Sequence, residues 1–354
     1  MATLSSSSRP LRVLSYGAGA IGTYIGGSLA LQGNTVVFLE RSQVALDLRL
    51  GGLRLKLPDG EKVIASPLVV GTLGEAMESG PFDVVLFALK SYDTASAIET
   101  LEPYATKLPP VLCLQNGVEN ELALAAILGE DKVIAGTVTS AIGRQSAGEI
   151  VLERLRGVGI AGNHPLASHL VDTFNQAGLN ARLFTRSDDM KWSKMLTNLL
   201  ANATSAILDM TPAEIFAHPR LYWLEIAQLR ETLAVMRAQG IRAVDLPGTP
   251  VRMLAFAARW LPHTISRPLL ARGVGGGRGA KMPSFYLDLH SGRGQSEVDY
   301  LNGAVVRYGA SLDIRTPANQ LLNETLLAIT RGELGPELFT RKPEILIEQY
   351  QQAK

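Results

Sequence analysis

Residues 15–27 read SYGAGAIGTYIGG, and whether this glycine run is a plain turn or a phosphate cradle decides the fold of the first half of the chain. A lone G-x-G-x-x-G says little, because glycine serves many turns; its flanks carry the argument. LRVLSY (11–16) is a strand pattern that ends on Gly17. AIGTYIGGSLALQG (20–33) has helical spacing, with Ile21, Ile25 and Leu29 on one face and Gly33 as the predicted C-cap. TVVFLE (35–40) is the next strand. In such a strand–turn–helix–strand unit the first glycine makes the turn and the second admits a pyrophosphate. The third lets the helix approach the sheet, and the helix N-terminus faces the phosphates. Gly17, Ala18, Gly19, Ala20, Ile21 and Gly22 are therefore expected to bind a dinucleotide.

The nucleotide's identity turns on FLERSQ, at the end of the second strand. Glu40 would hold two ribose hydroxyls of NAD; Arg41 would pair with the 2′-phosphate of NADP. Strand alternation points only one of them at the nucleotide, so the residues alone leave both cofactors open. FDVVLFAL (82–89), PPVLCLQNG (109–117) and KVIAGTVTSAIG (132–143) read as further strands, the first two as continuous apolar runs of the buried parallel kind. Ligands of doubly wound sheets sit outside the carboxyl ends of strands, which places Lys90 and Asn116 beside a cofactor or substrate. GEIVLE and GVGIAGN suggest a short antiparallel ribbon near 148–163. The predicted fold class is α/β: a Rossmann doubly wound sheet over 11–186, preceded by a serine-rich disordered tail over 1–10.

After ARLFT the pattern becomes helical. SDDMKWSKMLTNLLANATSAILDM (187–210) reads as one long helix, opening a second, all-helical domain over 187–345. Lys194, Asn198 and Asn202 fall at i, i+4 and i+8, flanked by Met195, Leu196, Leu199 and Leu200. Three polar side chains among leucines are costly for a plain core, at about 1–3 kcal/mol for each group left unpaired. A lined pocket accounts for them better than a narrow solvent strip. KMPSFYLDLHSGRGQSEVDYLNGAVVRYG (281–309) adds Ser284, Asp288 and Glu297, with Glu297 starting a helix that carries Asn302 and Gly303. On position alone Glu297 reads as a helix-start acid complementing the macrodipole.

The bulk numbers restrict the partners. Hydrophobic residues make up 46% and charged residues 19% of the 354, with 34 basic against 33 acidic side chains. That balance asks for neither nucleic acid nor an anionic membrane, and no apolar run approaches the roughly 20 residues of a membrane span. A cytoplasmic protein is expected. The single cysteine, Cys113, lies in an apolar strand run and reads as an inert core thiol. No two of the five histidines stand at i, i+4, so no metal is assigned.

In order, GAGAIG, LKS (89–91), QNG (115–117), KWSKMLTNLLAN, SEVDYLNG and TPANQLL (316–322) make the chain resemble the ketopantoate reductase (2-dehydropantoate 2-reductase) family over most of its length. The resemblance implies a Rossmann domain followed by a helical domain like that of 6-phosphogluconate dehydrogenases. It implies NADPH-dependent reduction of a 2-oxo acid, 2-dehydropantoate to (R)-pantoate, and favours NADP(H) through Arg41. Lys194 matches the family's general acid and Glu297 its catalytic glutamate. Asn198, Asn202 and Ser284 match its substrate-binding residues, and Lys90 and Asn116 its cofactor-facing positions. A homodimer is possible on the same ground. The segment 246–282, with RGVGGGRGAK, is longer than the family's and reads as a mobile connection or lid. The alternatives are a reductase of another 2-oxo acid, an opine-type dehydrogenase and an NADPH-sensing binding protein.

Overall fold

The protein is described here as a computed structural model covering residues 9–278 and 281–354. Most of the predicted tail, residues 1–8, lies outside the described residues; Arg9 is tied to the sheet by an ion pair with Asp83. By backbone contact the chain divides into two units. One holds the chain up to Gln115, Asn120–Lys191 and Leu246–Thr249; the other holds Asn116–Glu119, Trp192–Asp245 and Pro250–Lys354.

The strands of the first unit are β1 (Arg12–Tyr16), β2 (Thr35–Leu39), β3 (Leu53–Leu57), β4 (Gly60–Ile64), β5 (Leu68–Val70) and β6 (Val84–Phe87). They continue with β7 (Val111–Cys113), β8 (Val133–Val138), β9 (Ala141–Ser146), β10 (Glu149–Arg154), β11 (Val158–Ala161) and β12 (Ala181–Phe184). Eight form one sheet in the order β12-β11-β8-β7-β6-β1-β2-β5, parallel throughout except where β11 runs against β8. The doubly wound Rossmann sheet expected from the sequence is present. Its order reverses at β1, between β2 and β6, which is where such sheets open a crevice for ligands. All four residues of β6 are fully buried, the signature of a central strand covered on both faces.

The other four strands form a small sheet, β4-β3-β10-β9. Leu53, Leu55 and Ile150 from this sheet share a core with Tyr24, Ile25 and Leu29 of the Ala20–Leu31 helix. That helix is thus buried nearly all round, which its sequence of small and apolar residues allows. Gln32, not Gly33, is its C-cap; Gly33 follows in the left-handed region.

Two strand expectations are corrected. The run 132–143 is not one strand: β8 stays in the large sheet and β9 crosses to the small one. The predicted ribbon at 148–163 does not form either, because β10 pairs with β9 and β3 while β11 pairs with β8 and β12. Val158–Ala161 is buried at every position and belongs in a two-sided core, whereas Glu149–Arg154 has an exposed end suited to a one-sided sheet.

The second unit is helical, built on the 20-residue Pro219–Ala238 helix. The predicted long helix over 187–210 is two: Ser187–Leu199 and Asn202–Leu208, separated at Ala201, whose φ is +50°. The segment 246–282 is also corrected. Instead of a bare connection it carries helices Val251–Trp260 and His263–Arg278, with Gly279 and Ala280 outside the described residues. Val251, Leu254, Ala257 and Ala258 bury one face of the first of these. Ser266 anchors the second by accepting a 2.5 Å hydrogen bond from the buried Tyr222 hydroxyl. Among the described residues no helix is long and apolar enough to cross a membrane, and no cluster of side chains suits a metal.

Candidate active site

In the first unit the glycine loop follows β1 directly. Gly17 has a φ of +99°, and a Cβ there would lie 2.9 Å from the Leu89 side chain. A Cβ on Gly22 would meet the Gly17 carbonyl oxygen at 1.8 Å, so helix and turn approach as only glycine permits. Gly19 is the N-cap of the Ala20–Leu31 helix, with no side chain capping the first turn. The backbone amides there and the helix dipole make a cradle for a pyrophosphate, so these residues fit a dinucleotide.

Glu40, half-buried at the end of β2, turns its carboxylate onto this loop: Oε1 accepts the Ala18 amide at 2.7 Å. Arg41 is exposed, at the N-cap position of the Ser42–Gly51 helix. Lys90 follows β6 and is half-buried. Its carbonyl accepts Gln115 Nε2 at 3.0 Å, and the same nitrogen donates to Thr94 Oγ1 at 2.9 Å. Thr94 and Ser91 are bridged in turn by Asn120. This buried amide–hydroxyl network ties together the loops that leave β6 and β7.

The carbonyl of Gln115 is held from elsewhere. Lys191 Nζ donates to it at 2.6 Å and pairs with Glu121 at 2.7 Å, with the two side chains 5% and 16% exposed. From sequence, Gln115 stands out only as part of QNG, and Thr94, Lys191 and Glu121 are given no role. Lys191 stands three residues before Lys194, off the i, i+4 stripe, and only the fold shows what it faces. Cys113, in the same core, is fully buried, and burial pushes its thiol well above the usual range. It is an inert core residue, as expected.

In the second unit Asn116, Asn198, Asn202 and Ser284 come together. Asn198 Nδ2 donates to Asn116 Oδ1 at 2.9 Å. Asn202 Nδ2 donates to the Asn198 carbonyl at 3.0 Å and to Ser284 Oγ at 3.2 Å, while its Oδ1 accepts the Phe285 amide at 3.0 Å. Ser284 opens the Ser284–Leu289 helix behind Pro283, so Asn202 also serves the start of that helix. Lys194 lies half-buried one turn before Asn198 on the Ser187–Leu199 helix. The loop Asn116–Glu119 is gripped at its far end by Arg307, which forms a bidentate pair with Glu119 at 3.1 and 2.6 Å and also bonds Asp299.

Glu297 is 2% exposed. It does not begin an ordinary helix: it sits in a turn before a π-helical turn, Asp299–Gly303, that leads into the Ala304–Ser311 helix. Isolated π-turns concentrate at functional sites. Asn302, within this one, is wholly buried and bonds Gln228 and Asn319 at 3.0 and 3.1 Å, a structural duty.

The family model for ketopantoate reductase PanE/ApbA matches residues 13–164, and the model for the C-terminal part of the same family matches residues 187–330. The chain belongs to the ketopantoate reductase family. With that membership it is an NAD(P)-dependent oxidoreductase. The 2-dehydropantoate 2-reductase of Halobacterium salinarum is 28% identical over 322 residues, covering 88% of this chain and 96% of its own. That of Pyrococcus horikoshii is 24% identical, covering 88% and 95%. Among solved structures, a PanE/ApbA family ketopantoate reductase from Ralstonia eutropha superposes with a TM-score of 0.75 at 26% identity, covering 96% of this chain and all of that one. A D-mandelate dehydrogenase with NADH and anilino(oxo)acetate has a TM-score of 0.71 at 20% identity, covering 90% and 99%, a likeness of fold alone.

Proposed function

We propose that this ketopantoate reductase family member reduces 2-dehydropantoate to (R)-pantoate with NADPH, and that Lys194 is the general acid. The observation that carries the reading is the hydrogen-bonded chain Asn116–Asn198–Asn202–Ser284, with Lys194 one turn away on the same helix. A polar set of this kind suits a small acid bearing a carboxylate, a ketone and a hydroxyl, and the curated relatives named above carry that activity.

In this reading Gly17, Ala18, Gly19, Ala20, Ile21 and Gly22 cradle the pyrophosphate, Arg41 pairs with the 2′-phosphate, and Lys90 and Asn116 complete the nucleotide contacts. When bound, NADPH supplies the hydride. Lys194 gives its proton to the ketone oxygen as negative charge develops there. Ser284 donates to the substrate carboxylate, and Asn198 fixes an oxygen beside the reacting carbon. Asn202 is bonded to Asn198, Ser284 and Phe285, so its share is to hold those groups in register. Glu297, almost wholly buried, keeps Lys194 charged or accepts the substrate hydroxyl. A cytoplasmic location and a homodimer belong to the same reading and are checked by cell fractionation and light scattering.

The test follows NADPH absorbance with 2-dehydropantoate, other branched 2-oxo acids and an aryl 2-oxo acid, with and without amines, and repeats the panel with NADH. NADPH-selective turnover fastest on 2-dehydropantoate is the expected result. Faster turnover of an aryl acid, or turnover that needs an amine, replaces the substrate assignment. Nucleotide binding without turnover of any acid overturns the reading.

A further inference from the structure

The helix that carries Lys194 does not run on to Asn202. It stops at Leu199, and Ala201 takes the left-handed conformation before the next helix begins at Asn202. That backbone is unfavourable for a residue with a Cβ and persists only where its surroundings enforce it. Here the enforcing group is Glu225, wholly buried on the Pro219–Ala238 helix. Its Oε2 accepts the Ala201 amide at 2.7 Å and Gln228 Nε2 at 2.7 Å, and its other oxygen accepts the Thr204 hydroxyl.

Ala201 is the N-cap of the second helix and Thr204 lies in its first turn, so one carboxylate takes the N-cap amide and a first-turn hydroxyl where that helix starts. Gln228 Nε2 also reaches the Leu199 carbonyl at 3.3 Å, the end of the first helix. Both sides of the break are therefore held from the same helix. A glycine would end a helix without help. An alanine held by a buried acid instead fixes the break in one geometry.

We infer that Glu225 is a positioning residue: it holds the break at Ala201 and so sets where Asn198, Asn202 and, through Asn202, the Ser284 hydroxyl stand. It does this without touching substrate. The inference rests on the proposed reading of Asn198 and Ser284 as substrate-holding residues kept in register by Asn202. Without the carboxylate the break relaxes, the Asn202 amide leaves Ser284 and Phe285, and the oxygens of a bound acid are held out of register. The nucleotide loop carries none of these contacts.

The experiment compares wild type, Glu225→Ala, Glu225→Gln and the double variant Glu225→Ala with Ala201→Gly, all in the full chain. Glu225→Ala should lower kcat/KM for the oxo acid on the order of 30-fold, since small misplacements near a reacting centre have effects of that size. Its affinity for NADPH should stay within about twofold of wild type, because the phosphate cradle is a separate backbone feature. Ala201→Gly adds no atoms and adopts the left-handed region readily, so it should recover about tenfold of the loss. Glu225→Gln keeps one acceptor and should lose only about fivefold; it carries the test if Glu225→Ala does not fold. A kcat/KM within about threefold of wild type, or a loss matched by weaker NADPH binding, overturns the inference. If wild type turns over none of the acids, the functional reading fails separately. Hydrogen exchange of amides 200–205, faster in Glu225→Ala and near wild type in Glu225→Gln, then still decides whether Glu225 holds the break; unchanged exchange overturns it.

Discussion

Lys194 concentrates the proposed chemistry in one ammonium group. Lys194→Ala removes the proposed proton donor but none of the glycine loop. Turnover is expected to fall by about 10²–10⁴-fold, the range for a positioned general acid, with NADPH affinity unchanged. Fluorescence titration and steady-state kinetics check both halves, and retained turnover removes the assigned acid. In the proposed reading cofactor choice also rests on single residues. Glu40 faces the loop through the Ala18 amide while Arg41 stands exposed beside it. Arg41→Ala should weaken NADPH about tenfold and leave NADH nearly unaffected, because only one of the two carries the 2′-phosphate that the guanidinium is proposed to pair with. Glu40→Gln should act the other way, tightening NADPH by removing a carboxylate from near that phosphate. Equal effects on both nucleotides would refute the division of labour. Sequence put Glu40 and Arg41 side by side; which of them turned inward was a matter of how β2 meets the turn.

Among elements, the end of β7 is held by side-chain charge. Gln115, Lys191 and Glu121 form a buried cluster whose charges are compensated only while both partners are present. Lys191→Met should destabilise the protein by about 3 kcal/mol by stranding Glu121, and adding Glu121→Leu should recover most of that, since an apolar pair has no charge to desolvate. Urea denaturation of the two variants reads this directly; equal losses in both would mean the lysine acts through packing alone.

The start of the Pro212–Ala217 helix gives a pH-dependent element. The Thr211 amide and hydroxyl, with Arg341, hold the Glu214 carboxyl down at about 2, against an ordinary 4.5. A lowered carboxyl contributes its stability above the ordinary value and loses it as pH falls toward the folded one. Solvent screening at this exposed site leaves about 1 kcal/mol, typical of a cap. The Tm difference between wild type and Glu214→Gln should therefore be largest above pH 4.5 and shrink towards pH 2. A difference constant across that window would remove the charge from the account.

At the scale of the whole molecule, a ligand that binds only folded protein raises stability by mass action, about 2.7 kcal/mol at a hundredfold excess over Kd. Saturating NADPH should therefore raise the Tm of the transition that melts the first unit, and NADH should raise it less at equal concentration. Calorimetry is the suitable measurement because a chain of two units need not melt in one step. No shift with either nucleotide would contradict the glycine-loop assignment.

The sequence by itself determined the doubly wound sheet, the glycine cradle, the helical second half and the family. Each is written in local pattern: apolar runs, helical spacing and glycines at fixed intervals. It also named Asn116, Asn198, Asn202 and Ser284, although they are far apart along the chain, because their order matches a known family. Only the tertiary structure decided that the 187–210 run breaks at Ala201, that β8 and β9 separate, and that the glycine-rich stretch continues a helix to Arg278. It alone revealed Glu225 and Lys191. The physical reason is clearest at Ala201. Helical propensity favours the unbroken helix by little, and a few buried hydrogen bonds from Glu225 and Gln228, distant in sequence, outweigh it. Such bonds leave no periodicity in the segment they act upon.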